Sequence, residues 1–182
     1  MMIALIIIAV LVVLAIVLYN SLIRSRNRVE EAWSDIEVQL KRRYDLIPNL
    51  IETVKGFARQ ESSVLEGVTQ ARAAAMGATD FAEKAKDENM LTGALGKLFA
   101  VAEAYPDLKS NQNFLAMQGD LRDTEDKIQA SRRFYNGTVR DFNTKLQVFP
   151  TNLFASIMGF TVRQFFDIDD KGPESQNVKV QF

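Results

Sequence analysis

The N-terminal run Met1–Leu18 contains no charged or polar side chain, and it constrains the chain more than any other feature. At ~1.5 Å of helix rise per residue, such a run covers about 27 Å, close to the ~30 Å hydrocarbon core of a bilayer. Tyr19 follows where an interfacial aromatic residue belongs, and Leu22 and Ile23 can complete the last turn. The run therefore predicts a transmembrane anchor over residues 1–23, with the lipid bilayer as its partner.

Two other interpretations of this run stay open at the sequence level. A cleaved signal peptide has a basic segment before a shorter apolar run and a small-x-small cleavage site after it, and this sequence has none of these. A buried core helix is the second alternative, but a run this long that is apolar on every side seldom fits a small domain. An uncleaved anchor is the favoured interpretation.

The basic residues Arg24, Arg26 and Arg28 follow the apolar run directly, and no charged side chain precedes it. Basic residues accumulate on the cytoplasmic side of a membrane span, whereas acidic residues contribute little to orientation. The charge pattern therefore predicts that the part of the chain after the anchor lies in the cytoplasm.

The composition excludes several classes of enzyme, because the sequence contains no cysteine and no histidine. A thiol nucleophile, a Ser-His-Asp triad and a Cys/His zinc or haem site are all ruled out. No glycine-rich phosphate loop or G-x-S-x-G motif is present either. We predict a protein that is not an enzyme and has no cofactor or metal. A net charge of −1 also argues against a nucleic-acid partner.

Beyond the anchor, apolar residues recur at intervals of three and four, which is typical of amphipathic helices. The first stripe begins at Val29 and predicts one helix that continues from the bilayer to about Met76, with Pro48 inside it. A second helix is predicted over 81–105, with Thr79 or Asp80 as its N-cap. A third is predicted over 110–149 and ends before Pro150.

These helices predict an all-α fold in which an N-terminal transmembrane helix continues into a long-helix antiparallel bundle. A soluble coiled-coil rod is the alternative, but the short apolar segments near the C-terminus favour a closed bundle. We assign residues 1–23 to the anchor, 24–166 to the bundle, and 167–182 to an acidic linker and an extended tail.

Four blocks of the sequence resemble the LemA family of bacterial membrane-anchored helical proteins. They are YNSLIRSRNRVEEAWSDIEVQLKRRYDLIPNLIETVKGFA (19–58), AEAYPDLKSNQNFLAMQ (102–118), TEDKIQASRRFYNGTVRDFN (124–143) and FPTNLFASIMGF with a following FF (149–166). The resemblance implies one N-terminal span, a LemA-like helical bundle and a place in the bacterial inner membrane. It implies no catalytic activity.

Four charged residues lie on helix faces where apolar residues are expected: Glu61, Arg72, Glu125 and Arg132. If the first and third helices pair antiparallel, Glu61 faces Arg132 and Arg72 faces Glu125. Salt bridges that fix the helix register are the favoured interpretation. A binding or proton-handling site, or exposure at the solvent edge, are the alternatives.

The run Lys41-Arg42-Arg43 is interpreted as a solvated face.

The C-terminal third carries a candidate interaction surface. The segment 149–166, which follows the third helix, is too short to span a bilayer. It is predicted to be a fourth element of the bundle, or else an element that lies at the membrane surface or at a partner interface. At the tail, apolar and polar residues alternate as in a β-strand, which predicts pairing with a partner strand or a neighbouring subunit, or else a frayed end. The surface comprises Phe154, Phe160, Phe165, Phe166, Val178, Val180 and Phe182.

The function predicted from these features is that of a non-enzymatic, membrane-anchored structural or interaction protein, an adaptor or a homo-oligomeric scaffold. Its predicted partner is a second copy of the chain or another membrane protein. A membrane sensor that transmits a signal along the first helix, with Pro48 as a hinge, is the alternative. An enzyme that uses Asp or Glu chemistry is the least favoured class.

Overall fold

The computed structural model describes residues 1–166, and these residues form helices and no strand. The predicted all-α fold is therefore confirmed. The predicted linker and tail, which include Val178, Val180 and Phe182, lie outside the described residues. The helices are α1 (Met2–Phe57), α2 (Ser62–Gly77), α3 (Phe81–Ala102), α4 (Pro106–Lys109), α5 (Gln112–Gln147) and α6 (Thr151–Ile157).

Helix α1 begins with the apolar run, and the most hydrophobic 18-residue window of the helix is not buried against any other part of the described chain. A core helix would be covered by its neighbours, so this exposure excludes the buried-core interpretation. The helix is long and apolar enough to cross a membrane.

The prediction of one helix to about Met76 is wrong, because α1 ends at Phe57 and the chain reverses before α2. Arg72 Nε donates to the Tyr44 carbonyl oxygen at 2.8 Å, so α2 packs back along α1. Periodicity does not reveal this turn, since Leu65 and Val68 continue the spacing of the buried residues before it. The local sign of the turn is the polar run 59–63, where the Glu61 N–H donates to the Ala58 carbonyl oxygen.

Helix α3 begins as predicted with Asp80 as its N-cap. The Asp80 carboxylate accepts from the Ala82 and Glu83 N–H groups at 2.9 and 3.2 Å, which satisfies two of the free donors at a helix start. The helix ends at Ala102, three residues earlier than predicted, because Tyr105 and Pro106 begin the short helix α4.

Helix α5 lies inside the range predicted for the third helix, and helix α6 forms in the short apolar segment after Pro150. The Asn111 side-chain oxygen accepts from the Phe114 N–H at 3.1 Å and so caps the start of α5. The core positions of α5 include Leu121, Ile128 and Val139. These residues lie on the stripe that the sequence predicted.

The described chain forms two compact units, and α1 and α5 contribute residues to both. Unit 1 comprises Met1–Val38 and Ile128–Phe165. Its core is built from the facing stripes of α1 and α5, where the Trp33 and Tyr135 rings meet edge to face with centroids 5.5 Å apart. Buried core residues of this unit include Val29, Ala32, Ile36, Tyr135, Val139 and Phe142.

Unit 2 comprises Gln39–Lys127 together with Phe166. Five helical segments contribute to its core: the later part of α1, all of α2 and α3, Leu108 of α4, and the first half of α5. Fully or nearly fully buried residues include Leu40, Ile47, Leu50, Val68, Leu91, Leu98, Phe114 and Leu121. This unit also buries charged side chains, which include Arg43 and Glu88.

Candidate functional site: a buried arginine cluster

Arg43 of α1 and Glu88 of α3 form an ion pair in the interior of unit 2. Their side chains are 1% and 0% exposed, so both charges are removed from water. Isolated charges are costly to bury, and such groups occur inside proteins only with partners and hydrogen bonds. The other contacts of Arg43 supply these bonds.

The Arg43 guanidinium uses both terminal nitrogens. Nη1 donates to Glu125 Oε2 at 2.6 Å and to Thr92 Oγ1 at 3.0 Å. Nη2 donates to the carboxylate of Glu88 and, at 3.4 Å, to the backbone oxygen of the same residue. Nε is buried without a hydrogen-bond acceptor. Four of the five N–H groups of Arg43 are therefore matched by oxygen atoms.

Tyr44, the residue that follows Arg43, engages the other oxygen of Glu88. Its hydroxyl donates to Glu88 Oε1 and lies 3.3 Å from the Ala75 carbonyl oxygen of α2. The side chain of Glu125 is 27% exposed, whereas Glu88 is closed off from water. The arginine cluster, defined as Arg43, Tyr44, Glu88, Thr92 and Glu125, thus connects α1, α2, α3 and α5.

The chemistry of the arginine cluster is that of a cross-link between helices. Each of its polar side chains bonds to another member of the cluster, and Arg43 provides one positive charge for two carboxylates. Removing one partner from such a cluster leaves a buried charge without compensation, which is far more costly than the net gain from making the pair. The cluster therefore fixes how the four helices align more than it adds to stability.

A pocket of about 290 Å³ opens beside the arginine cluster, between α3 and α5. This volume is just below the range that is usual for small-molecule sites, about 300–1,000 Å³. The apolar wall is formed by Leu95, Phe99 and Leu121. The polar residues Arg43, Thr92, Gln118, Arg122 and Glu125 also line it, so charges of both signs meet an apolar surface there.

The predicted salt bridge between Arg72 and Glu125 does not form, and this expectation is corrected. Glu125 pairs with Arg43, and Arg72 Nε instead donates to the backbone oxygen of Tyr44. The prediction assumed that Arg72 lies on a continuation of α1. Because the chain reverses before α2, the antiparallel register of α1 with α5 does not apply to residues after Phe57.

The other predicted pair would join the two units and stays a prediction. Within unit 2, Glu61 Oε1 accepts a hydrogen bond from the Tyr105 hydroxyl at 3.2 Å. Within unit 1, Arg132 of α5 is buried, with 5% exposure.

The interpretation of Lys41-Arg42-Arg43 as a solvated face is wrong for Arg43. Helix geometry turns consecutive residues by about 100°, so three neighbours cannot share one environment. Arg43 lies seven residues after Ile36 and four before Ile47, which places it on the buried stripe. Arg42 is half exposed and lies 3.3 Å from Asp123, on the surface.

The sequence did not lead us to predict Glu88 as a buried residue, although, like Arg43, it lies in phase with buried apolar residues. It lies three residues before Leu91 and seven before Leu95, and both leucines are buried. A charged residue in phase with an apolar stripe marks a buried, partnered charge, whether on α1, α3 or α5.

Three groups outside the arginine cluster, Tyr105, Asp123 and Tyr135, have pKa values displaced by their surroundings. Burial and the hydrogen bond to Glu61 raise the pKa of Tyr105 above its usual value. The hydrogen bond from Lys127, aided by the charge of Arg42, lowers the pKa of Asp123. Burial raises the pKa of Tyr135, whose hydroxyl donates to the Gln164 carbonyl oxygen at 3.0 Å.

Among residues 1–166, no three Asp or Glu side chains are grouped as a metal site would require.

The predicted aromatic surface divides into buried and exposed members. Phe166 is buried against Phe81 in unit 2, with ring centroids 5.2 Å apart, so it belongs to the interior. In unit 1, Phe154 is half buried, and Phe160 packs against Tyr19 with centroids 6.1 Å apart. Phe165 is exposed.

Comparison with known proteins identifies related sequences over most of the chain. A family model described as the LemA family matches residues 32–182. Protein LemA of Metamycoplasma hominis is 31% identical over 140 residues, which cover 75% of this chain and 63% of that protein. The chain thus spans less than two thirds of the length of this relative.

Magnetosome proteins are also similar to this chain. Magnetosome protein MamQ 2 of Paramagnetospirillum magneticum is 28% identical over 194 aligned positions, which cover 90% of this chain and 71% of that protein. Magnetosome protein MamQ of Magnetospirillum gryphiswaldense is 25% identical over 174 positions, which cover 81% and 64% of the two chains.

Proposed function

The chain belongs to the LemA family, and from this premise we propose that it is a membrane-anchored, non-enzymatic scaffold that assembles with further copies of itself at the bacterial inner membrane. Residues 1–23 cross the bilayer in this proposal. The helical bundle lies in the cytoplasm and provides the surfaces through which copies meet. An adaptor that binds another membrane protein is the closest competing function.

The observation that carries this proposal is the continuity of α1 from the apolar run into the packed core. The exposed 18-residue apolar window near the N-terminus and the buried residues Val29 and Ile36 belong to one helix, with no linker between them. A helix without a break transmits position and orientation from the membrane to unit 1. Such an arrangement suits a protein that holds a surface at a fixed place beside the bilayer.

The chemistry of the arginine cluster supports a non-enzymatic role. Its carboxylates and its tyrosine hydroxyl are engaged with one another, and Glu88 is closed off from water. A general acid or base must reach the proton that it transfers, so groups committed to a buried cross-link are poorly placed for that task. The absence of histidine and cysteine from the sequence supports the same conclusion.

The basic residues Arg24, Arg26 and Arg28 support a cytoplasmic position for the bundle. Arg24 Nε lies 3.3 Å from the Asn20 carbonyl oxygen, immediately after the apolar run. The chain has no cysteine, so Lys109→Cys, at an exposed position of α4, gives a single reactive thiol. In intact spheroplasts, a membrane-impermeant maleimide should leave this thiol unmodified and modify it only after lysis. Modification in intact spheroplasts would contradict the orientation.

The scaffold itself is tested by measuring the native mass of the full chain in lipid nanodiscs and by cross-linking it in its own membrane. Assembly of several copies, with cross-links between copies, is the expected result. A single copy that cross-links to a different membrane protein would replace the scaffold by the adaptor. A single copy without cross-links would refute both functions.

A further inference from the structure

Helix α6 presents an apolar face that nothing in unit 1 covers. Leu153 and Ile157 lie four residues apart on this helix and are 55% and 83% exposed, whereas Ala155 is buried. Phe149, just before the helix, is 77% exposed. We call Phe149, Leu153 and Ile157 the α6 face. Large exposed apolar side chains one helical turn apart, such as Leu153 and Ile157, mark a site of contact with a membrane or a protein.

The position of α6 in unit 1 indicates whether this face contacts a membrane or a protein. Phe160, three residues after the helix, packs on the ring of Tyr19, the first residue after the apolar run. Lys145, near the end of α5, contacts the Ser25 hydroxyl. Along α1, Tyr19 and Ser25 are separated by about 9 Å at ~1.5 Å per residue. The chain between these two contacts contains α6.

The two contacts with Tyr19 and Ser25 lie near the depth of the polar headgroup layer of a bilayer. The headgroup regions add about 5–8 Å on each side of the ~30 Å hydrocarbon core. If Tyr19 marks the edge of the hydrocarbon, Phe160 contacts α1 at that edge and Lys145 contacts α1 about 9 Å above it, just beyond the headgroup layer. The segment between Lys145 and Phe160, which contains α6, therefore starts and ends beside this layer. Interfacial helices insert their apolar faces about 5–10 Å into this boundary.

We propose that α6 is a second membrane contact, in which the α6 face inserts into the lipid interface beside the transmembrane anchor. This inference rests on the proposed anchoring through residues 1–23. Apolar insertion, rather than charge, provides the attraction, because the sequence of α6 (Thr151–Ile157) contains no charged residue. The contact should therefore form on neutral phosphatidylcholine as well as on anionic lipid.

The segment that carries the α6 face contacts α1 at the end of the membrane-spanning run, and this favours lipid over a second copy as the occupant of the face. Phe160 makes this contact by packing on Tyr19, and Arg26 lies 6.0 Å from the centre of the Phe160 ring. A second copy that covered the α6 face would have to do so at the depth where lipid headgroups already surround the anchor. The two occupants can be distinguished because lipid admits oxygen to the α6 face, whereas a covering protein shields the face from both oxygen and water-soluble reagents.

The test uses the full chain in phosphatidylcholine nanodiscs, with a nitroxide spin label attached to one introduced cysteine. Three labelled variants are compared: Ile157→Cys on α6, Val10→Cys in the anchor, and Arg140→Cys on the exposed side of α5. Collision with oxygen reports exposure to lipid, and collision with a water-soluble nickel chelate reports exposure to water. We expect an oxygen-to-nickel ratio at 157 that is several-fold higher than at 140 and approaches that at 10.

A matched pair of substitutions tests the apolar face itself. In the chain labelled at 157, Leu153→Glu should raise collision with the nickel chelate, because a charge on the α6 face opposes insertion. Ser156→Glu places the same charge at an exposed position of the same helix without removing an apolar side chain, and should have a smaller effect. Equal effects of the two substitutions would contradict the proposal.

The remaining results overturn the inference in distinguishable ways. If the label at 157 collides freely with nickel while the label at 10 does not, α6 is not in the lipid and the anchoring stands. If the label at 157 is shielded from both reagents, protein covers the α6 face. If the label at 10 also collides with nickel, the proposed anchor has failed, and the contact that rests on it fails too.

Discussion

Replacing Arg43 by leucine should destabilise unit 2 strongly, because the change removes the only cation that pairs with Glu88 among the residues described. Glu88 is 0% exposed and Arg43 is 1% exposed, so water cannot replace the lost partner. Removing one member of a buried ion pair typically costs about 3–5 kcal/mol of unfolding free energy. In a domain of about 150–250 residues, this loss lowers the melting temperature by roughly 6–20 °C.

The neighbouring residue provides a matched control. Arg42 also pairs with a carboxylate, Asp123 at 3.3 Å, but both side chains are about half exposed. Surface pairs of this kind contribute about 0–1 kcal/mol, so Arg42→Leu should change the unfolding free energy little. Urea unfolding of the full chain in mild detergent, followed by circular dichroism at 222 nm, measures both variants under identical conditions.

The double substitution Arg43→Leu with Glu88→Leu tests the reason for the loss. It removes the stranded carboxylate, while Glu125 keeps partial contact with water and Tyr44 keeps the Ala75 carbonyl oxygen as an acceptor. We expect the double variant to recover part of the stability that Arg43→Leu loses. If Arg43→Leu costs no more than Arg42→Leu, or if the two leucine substitutions are simply additive, the interpretation of the arginine cluster as a buried cross-link is refuted.

Individual contacts elsewhere in the chain lead to three more expected outcomes. Asp80→Ala should lower the unfolding free energy by about 0.5–2 kcal/mol in the same urea assay, because α3 loses its N-cap, and Asp80→Asn should retain most of the stability. Burial raises the pKa of Tyr135 above 10.0, because the folded state disfavours the ionised hydroxyl. The contribution of Tyr135 to the unfolding free energy is therefore complete below pH 10 and declines as the pH rises further. Tyr135→Phe should make the urea midpoint less sensitive to pH in this range, and an unchanged pH dependence would contradict this assignment. Deletion of residues 177–182 should leave helicity and the thermal melt unchanged but lower the native mass of the assembly, whereas an unchanged mass would leave the tail without a role in it.

Apolar spacing was sufficient to predict most of the helical parts of the chain and many of the buried apolar residues in them. The stripe through Leu121 and Val139 predicted the inward face of α5, and the break before Asp80 predicted the start of α3. These features depend on residues near one another in the sequence. For such features, side-chain periodicity and capping chemistry act directly on the local backbone.

The turn between α1 and α2 could not be predicted from spacing, because the buried residues on its two sides are in phase. A helix that continues through Glu61 and a helix that reverses there bury the same positions, including Val54 and Leu65. Only packing between distant segments distinguishes the two. The wrong pairing of Arg72 with Glu125 followed from this single error about the direction of the chain.

The arginine cluster shows what a stripe can and cannot predict about a functional or structural centre. Arg43 and Glu88 lie in phase with their apolar stripes, so their burial could have been predicted by the reasoning that identified Glu125. Which charge meets which depends on three-dimensional alignment, because a carboxylate on α5 is compatible with arginines on either α1 or α2. The buried pair in turn restricts that alignment, since a shift of α3 by one turn would move Glu88 about 5.4 Å from Arg43, which would leave Glu88 without a cation and Arg43 with Glu125 as its remaining carboxylate. A cluster that penalises misalignment in this way suits a bundle whose role is to hold its surfaces in place.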